Sequence, residues 1–171
     1  LVVKIFLLWL LIIGTYNIPP LRFKARPGLD MFFAANFPLW GLIGYATIAQ
    51  ALPELIIIVP IALVSVAFHL YTAVHDIPHD KRAGVITSAV YIRSVQVNLF
   101  LCTALTATAS LSLWWLGLPW VGASLIVYVL FFLLHLFDTA FKRDLLYAYR
   151  WFIGLHYMVG ILVTMSLLPY V

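Results

Sequence analysis

Apolar residues run along this chain in long blocks, broken by short polar stretches, and the blocks do not alternate over about ten residues as barrel strands would. Crossing roughly 30 Å of hydrocarbon takes about 20 helical residues. Six blocks approach that length: Leu1 to Tyr16, about Asp30 to Leu52, Glu54 to Val74, about Tyr91 to Trp115, Pro119 to Phe137, and Tyr149 to Leu168. The pattern predicts an all-α, polytopic transmembrane bundle of six spans. No internal repeat, linker or low-complexity segment divides it, so residues 1–171 read as one transmembrane domain.

Composition sharpens this. The 171 residues are 65% hydrophobic and 9% charged, with a mean hydropathy of +1.08, whereas a soluble domain carries about 25% charge. The protein is therefore multi-pass and its first partner is the lipid bilayer. A net charge of +4, divided between loops, is too small to suggest nucleic acid. Phosphate groups or anionic lipid suit it better. Cys102 is the single cysteine, so no internal disulfide forms. Leu1 to Tyr16 lacks a cleavage site after a short apolar core and does not read as a signal peptide. The chain is expected to be a piece of a longer one.

The connections alternate in character. Asn17 to Leu29 carries Arg22, Lys24 and Arg26; His75 to Ser88 carries Lys81 and Arg82; Asp138 to Ala148 carries Lys142 and Arg143. Leu52-Pro53 and Gly117 to Pro119 are nearly charge-free. Apart from Lys4, the cations share one side, which the positive-inside rule makes cytoplasmic. That rule does not account for the acids, five of whose six share the same side. Trp114, Trp115 and Trp120 gather at the other face, as an interfacial belt does.

Most of the clustered charge lies in Asp76 to Thr87, DIPHDKRAGVIT. Asp76 and Asp80 are four residues apart, so at a helix end both point the same way. Two such carboxylates can share a hard cation. Magnesium takes one or two carboxylates, several waters and substrate phosphate oxygens, and Lys81 or Arg82 would neutralise further phosphate charge. Gly84 suits a tight turn just beyond. A plainer reading is an exposed, salt-bridged loop. Another is a zinc or iron site built on His75 and His79 with the two aspartates; Pro78, expected to break the helix, opposes it.

Below the motif, Ser65, His69, Thr72 and Asp76 share one helical face. Such polar groups face a bundle interior or a wet cavity, although Ser65 and Thr72 can instead bond the backbone. His69 and Thr72, with Tyr16, are the candidate cavity residues. In the preceding loop, Pro19-Pro20 predicts a stiff, extended segment. Arg22, Lys24 and Arg26 would then project to one side, toward a diphosphate or toward lipid headgroups.

TYNIPPLRFKARPGLD resembles the YS-x-PP-x-R-x-K-x-RP-x-x-D stretch of the UbiA-type membrane prenyltransferases. HDIPHDKRAGVITSA resembles the second aspartate-rich motif of that family, and its DI-x-x-D-x-x-AG-x-x-T form is similar to the carotenoid (lycopene) elongase branch. The resemblance implies nine spans and two aspartate-rich motifs that hold Mg2+ on a prenyl diphosphate. It makes Asp76 and Asp80 the catalytic, metal-holding pair, with Arg22, Lys24, Lys81 and Arg82 on the diphosphate. No aspartate precedes Asp30, so the first motif is not in this sequence, and this piece by itself is expected to be inactive.

The implied reaction is ionisation of an allylic diphosphate and attack by an apolar acceptor in a dry cavity. The acceptor would be a carotenoid such as lycopene, a quinone precursor or a lipid. Aromatic faces could steady the cation, with Tyr16, Phe68, Tyr71 and Tyr91 placed by position. Two competing functions are a channel or transporter with an acidic vestibule, and a His/Asp metal-dependent intramembrane enzyme. The loop assignment is testable. Cysteines introduced as Ala25→Cys, Ala83→Cys and Ala140→Cys, each in a Cys102→Ser background, should react with a membrane-impermeant reagent from one and the same side. Labelling of positions 25 and 83 from opposite sides would remove the shared diphosphate site.

Overall fold

A computed structural model describes residues 1–34, 38–138 and 144–167, with side chains described as far as Ile161. Its elements are α1 (Val2–Asn17), a 3-10 turn (Phe23–Ala25), α2 (Leu29–Ala34), α3 (Leu39–Ala49), α4 (Leu55–Arg82), α5 (Ser88–Ile92), α6 (Val95–Trp115), α7 (Pro119–Phe137) and α8 (Leu145–Leu167). The fold is all-helical, as the hydrophobic blocks predict. Three helices of the described residues are long and apolar enough to cross a membrane, Leu55–Arg82, Val95–Trp115 and Pro119–Phe137, and the stretch Leu29–Ala49, which includes residues outside the described ones, is long and apolar enough as well. α1, with 16 residues, is shorter. The expected second span is built as α2 and α3, on either side of residues 35–37, which lie outside the described residues.

The largest departure from the sequence reading concerns Pro78. α4 runs unbroken for 28 residues through both Pro60 and Pro78. At 1.5 Å per residue it is about 42 Å long, more than the hydrocarbon core, so it can carry the aspartates past the apolar layer. Proline removes one N–H and crowds one carbonyl, but every other backbone group on the helix still needs a partner. Those bonds continue past Pro78: the Ala83 amide donates to the His79 carbonyl at 2.9 Å. The helix ends at Arg82, and the chain turns just beyond at Gly84, whose φ of +66° glycine adopts without penalty.

The fourth expected span divides as well. Its first residues form α5, capped by the Thr87 hydroxyl, which accepts from the Val90 amide. Arg93 then turns left-handed, and Ser94 caps α6 by accepting from the Val97 amide. The last span starts four residues earlier than expected, because Asp144 accepts from the Tyr147 amide at 2.9 Å and caps α8.

Packing centres on α4, α6 and α7. Small residues let α6 and α7 approach closely, in the manner of membrane helices. The Ser110 hydroxyl donates to the Gly122 carbonyl at 2.7 Å. Cys102 Sγ donates to the Ala67 carbonyl at 3.3 Å and joins α6 to α4. The Tyr71 ring packs edge-on to Phe131 and tilted against Phe132 and Phe152 within the core. There Tyr71 Oη meets His135 Nδ1 at 3.0 Å. Trp114, Trp115 and Trp120 are exposed around the α6–α7 turn, as a belt requires. A Cβ at Gly122 would lie 2.7 Å from the Ser110 carbonyl oxygen, whereas one at Gly154 meets nothing within 4 Å. Gly122→Ala should therefore lower thermal stability in detergent by an amount corresponding to about 1–3 kcal/mol, with Gly154→Ala near wild type. Equal melting temperatures for the two variants would contradict the close α6–α7 packing.

Candidate functional site

The site is built on the last turn of α4. Asp76 and Asp80 lie one turn apart there, Asp76 exposed and Asp80 half-buried. The last turn also holds His79, Lys81 and Arg82. A helix C-terminus carries the negative end of the macrodipole. Two carboxylates at that end repel one another and the dipole, an arrangement that a cation relieves. Among the described residues no three of His, Cys, Asp or Glu converge to hold a metal. The donor set therefore does not suit zinc or iron caged by protein alone, which is what the His75/His79 reading required. It fits magnesium, which completes its shell with water and phosphate oxygens.

Asp80 is anchored by the loop beyond it. The Thr87 hydroxyl donates to Asp80 Oδ2 at 3.2 Å while it caps α5. The adjacent Ser88 faces the other way, toward Asp30 on α2. The Ser88 amide donates to Asp30 Oδ2 at 2.8 Å, and the Ser88 hydroxyl donates to Asp30 Oδ1. The hydroxyl in turn accepts from the Gly28 amide at 2.8 Å. Asp30 is 1% exposed. Sequence reading placed this residue only at the start of a span, though it closes the PPLRFKARPGLD motif, and its position there is the signal that could have found it.

The candidate cavity residues gather under this cluster. The Tyr16 ring stands edge-on to His69, with centroids 6.3 Å apart. Tyr16 lies in the field of Asp30 and Asp80, and His69 in that of Asp30 and Asp76. Thr72 and Ser65 take the backbone option: Thr72 donates to the His69 carbonyl at 2.8 Å and Ser65 to the Ile61 carbonyl at 3.1 Å. Thr72 also lines a cavity of about 330 Å³ with His75, Asp76, His79 and Tyr149. Phe68 and Tyr71 belong to the aromatic packing around Phe152, and Tyr91 is exposed.

The cationic loop differs from the extended segment expected. Arg22 is left-handed, with a φ of 36°, and Phe23–Ala25 form a 3-10 turn. With three residues per turn, Arg22, Lys24 and Arg26 cannot project to one side as alternate residues of a strand would. The chain turns because the Ala25 amide donates to the Arg22 carbonyl and the Arg26 amide to the Phe23 carbonyl, each at 3.0 Å. Lys24 Nζ donates to Asn17 Oδ1 at 3.1 Å, and Arg26 donates to the Pro20 carbonyl at 3.1 Å. Arg22 is exposed. Arg82 donates to His79 Nδ1 at 3.0 Å, and Lys81 is exposed. Among the described residues none of these cations forms an ion pair with Asp76 or Asp80. The structure thus brings the two loops together through Asp30 and Ser88, rather than through charge pairs.

The sequence matches the UbiA prenyltransferase family over residues 1–154. It is 29% identical over 163 residues to a lycopene elongase/hydratase of Haloarcula japonica, covering 93% of this chain and 52% of that protein. A lycopene elongase/hydratase of Haloferax volcanii is 28% identical over 153 residues, covering 90% of this chain and 49% of that protein. The lycopene elongase/hydratase of Halobacterium salinarum is 27% identical over 159 residues, 92% of this chain and 56% of that one. The chain spans about half the length of these curated relatives. No solved structure matches it. With the family covering nearly the whole chain, and with paired carboxylates closing a long membrane helix, this protein belongs to the UbiA prenyltransferase family.

Proposed function

We propose that the complete protein transfers a prenyl group from an allylic prenyl diphosphate to an apolar acceptor inside the membrane, with a carotenoid such as lycopene favoured. The observation that carries this reading is the Asp76–Asp80 pair, one turn apart at the negative end of α4 and joined through Thr87 and Ser88 to the cationic loop. The family and the three relatives support the substrate class. The charged loops would face the cytoplasm.

In this reading Asp76 and Asp80 hold Mg2+, which when bound supplies positive charge against the diphosphate leaving group. Lys81 and Arg82 follow the pair on the same helix end, and Arg22 and Lys24 would reach in from the neighbouring loop. They bind phosphate oxygens and add charge where it develops as the carbon–oxygen bond breaks. Thr87 keeps the Asp80 carboxylate turned toward the loop. Tyr16 and His69 would line the path of the prenyl chain on the membrane side of the carboxylates. An apolar surround excludes water from the allylic cation until the acceptor attacks.

Asp76→Asn and Asp80→Asn each remove a negative charge from an exposed or half-exposed position, so the fold should survive. Diphosphate release from an allylic prenyl diphosphate, with magnesium and lycopene or a quinone precursor as acceptor, should fall about 100-fold or more in each variant of the complete protein. The yield of folded protein should change little. A wild-type rate for Asp80→Asn at limiting magnesium would overturn the assignment.

A further inference from the structure

We propose that Asp30 is a positioning residue: its buried carboxylate clamps the cation-bearing loop to the loop that holds Asp80, and so sets the spacing across the diphosphate site. The catalytic consequence rests on the function proposed above; the clamp itself does not.

A buried carboxylate is costly unless its oxygens are bonded, and a lone charge is costlier still. Asp30 is 1% exposed, and among the described residues it has no cationic partner. Asp30 and Asp76 both act as like charge on Asp80. What the carboxylate provides is a pair of acceptors and no donor. Both are used by one residue, through the Ser88 amide and hydroxyl. Because that hydroxyl donates to Asp30, its oxygen is left to accept from Gly28. The bonds therefore have one direction: Gly28 amide to Ser88 hydroxyl to Asp30. An asparagine would keep the shape but present a donor to one of the two Ser88 donors.

The clamp sits between the two halves of the site. On one side, Gly28 and Asp30 end the loop carrying Arg22 and Lys24. On the other, Ser88 is bonded through a single peptide link to Thr87, whose hydroxyl holds Asp80. Displacing Ser88 moves Thr87, and with it the side chain of Asp80. Asp30 itself is covered and does not reach the open face where Asp76 is exposed, so its action passes through Ser88.

The test uses the complete protein in a Cys102→Ser background, with spin labels attached at Ala25→Cys and Ala83→Cys and the distance between them measured without substrate. Asp30→Asn and Ser88→Ala should each lengthen or broaden that distance distribution. In unlabelled protein each should lower kcat about tenfold or more, with the KM for the apolar acceptor nearly unchanged. The double variant should be no worse than the poorer single one, since the two groups act in series. Ser88→Thr, which keeps the hydroxyl, should restore both readouts. If Asp30→Asn fails to fold, Ser88→Ala carries the same measurements, because it removes the two bonds of the hydroxyl and leaves the amide bond to Asp30 in place. A wild-type distance distribution in Asp30→Asn or Ser88→Ala, or losses that multiply in the double variant, would overturn the proposal. Should the complete protein release no diphosphate from any allylic substrate, the function reading falls, while the label distances still decide the clamp.

Discussion

Asp30 and Ser88 are both buried, so each polar atom they carry needs a partner within the protein. The chain approaches that contact from two directions, 58 residues apart in sequence. One arm comes from α1 through a loop of prolines and cations, and the other descends from the end of α4 through Gly84 and Thr87. Each arm touches the bundle, one at Met31 and the other at Ala89. The polar link between them is a carboxylate that accepts from a backbone amide and a hydroxyl at once. Around it, Tyr16, His69 and Asp80 all lie within reach of its charge. The site is therefore an electrostatic cluster at the rim of an otherwise apolar bundle, and the bundle supplies its rigidity.

That rigidity has a separate origin. α4 joins the rim to the interior as one helix, with Tyr71, Leu70 and Val74 wholly buried just below the aspartates. α6 and α7 close against each other through Ser110 and Gly122, and against α4 through Cys102 and Ala67. Packing at these small residues needs no hydrophobic drive, which lipid does not provide. The consequence for function is that Asp76 and Asp80 are carried on a rigid element. The cations Arg22, Lys24 and Arg26 are carried on a turn held by local bonds, Lys24 to Asn17 and Arg26 to the Pro20 carbonyl. A rigid carboxylate end facing a tethered cationic loop suits a substrate whose charge must be met from two sides.

Much of this was legible in the chain itself. Long apolar blocks fix helices across a membrane, because a backbone in hydrocarbon has few other ways to satisfy its amides. The four-residue spacing of Asp76 and Asp80 places them on one face whatever surrounds them, and the same arithmetic aligns His69 and Thr72 beneath. The motifs in the two polar loops were enough to indicate the family. Tertiary structure alone decided the rest. It carried α4 through Pro78, because the remaining backbone bonds and the buried contacts at Val74 and Leu70 outweigh the loss of one N–H. It folded Arg22 to Arg26 into a turn instead of a strand-like rim, since local carbonyls were within reach of the Ala25 and Arg26 amides. And it made Asp30 central: the motif that it closes marks the residue, but its burial depends on a serine 58 residues away on another loop.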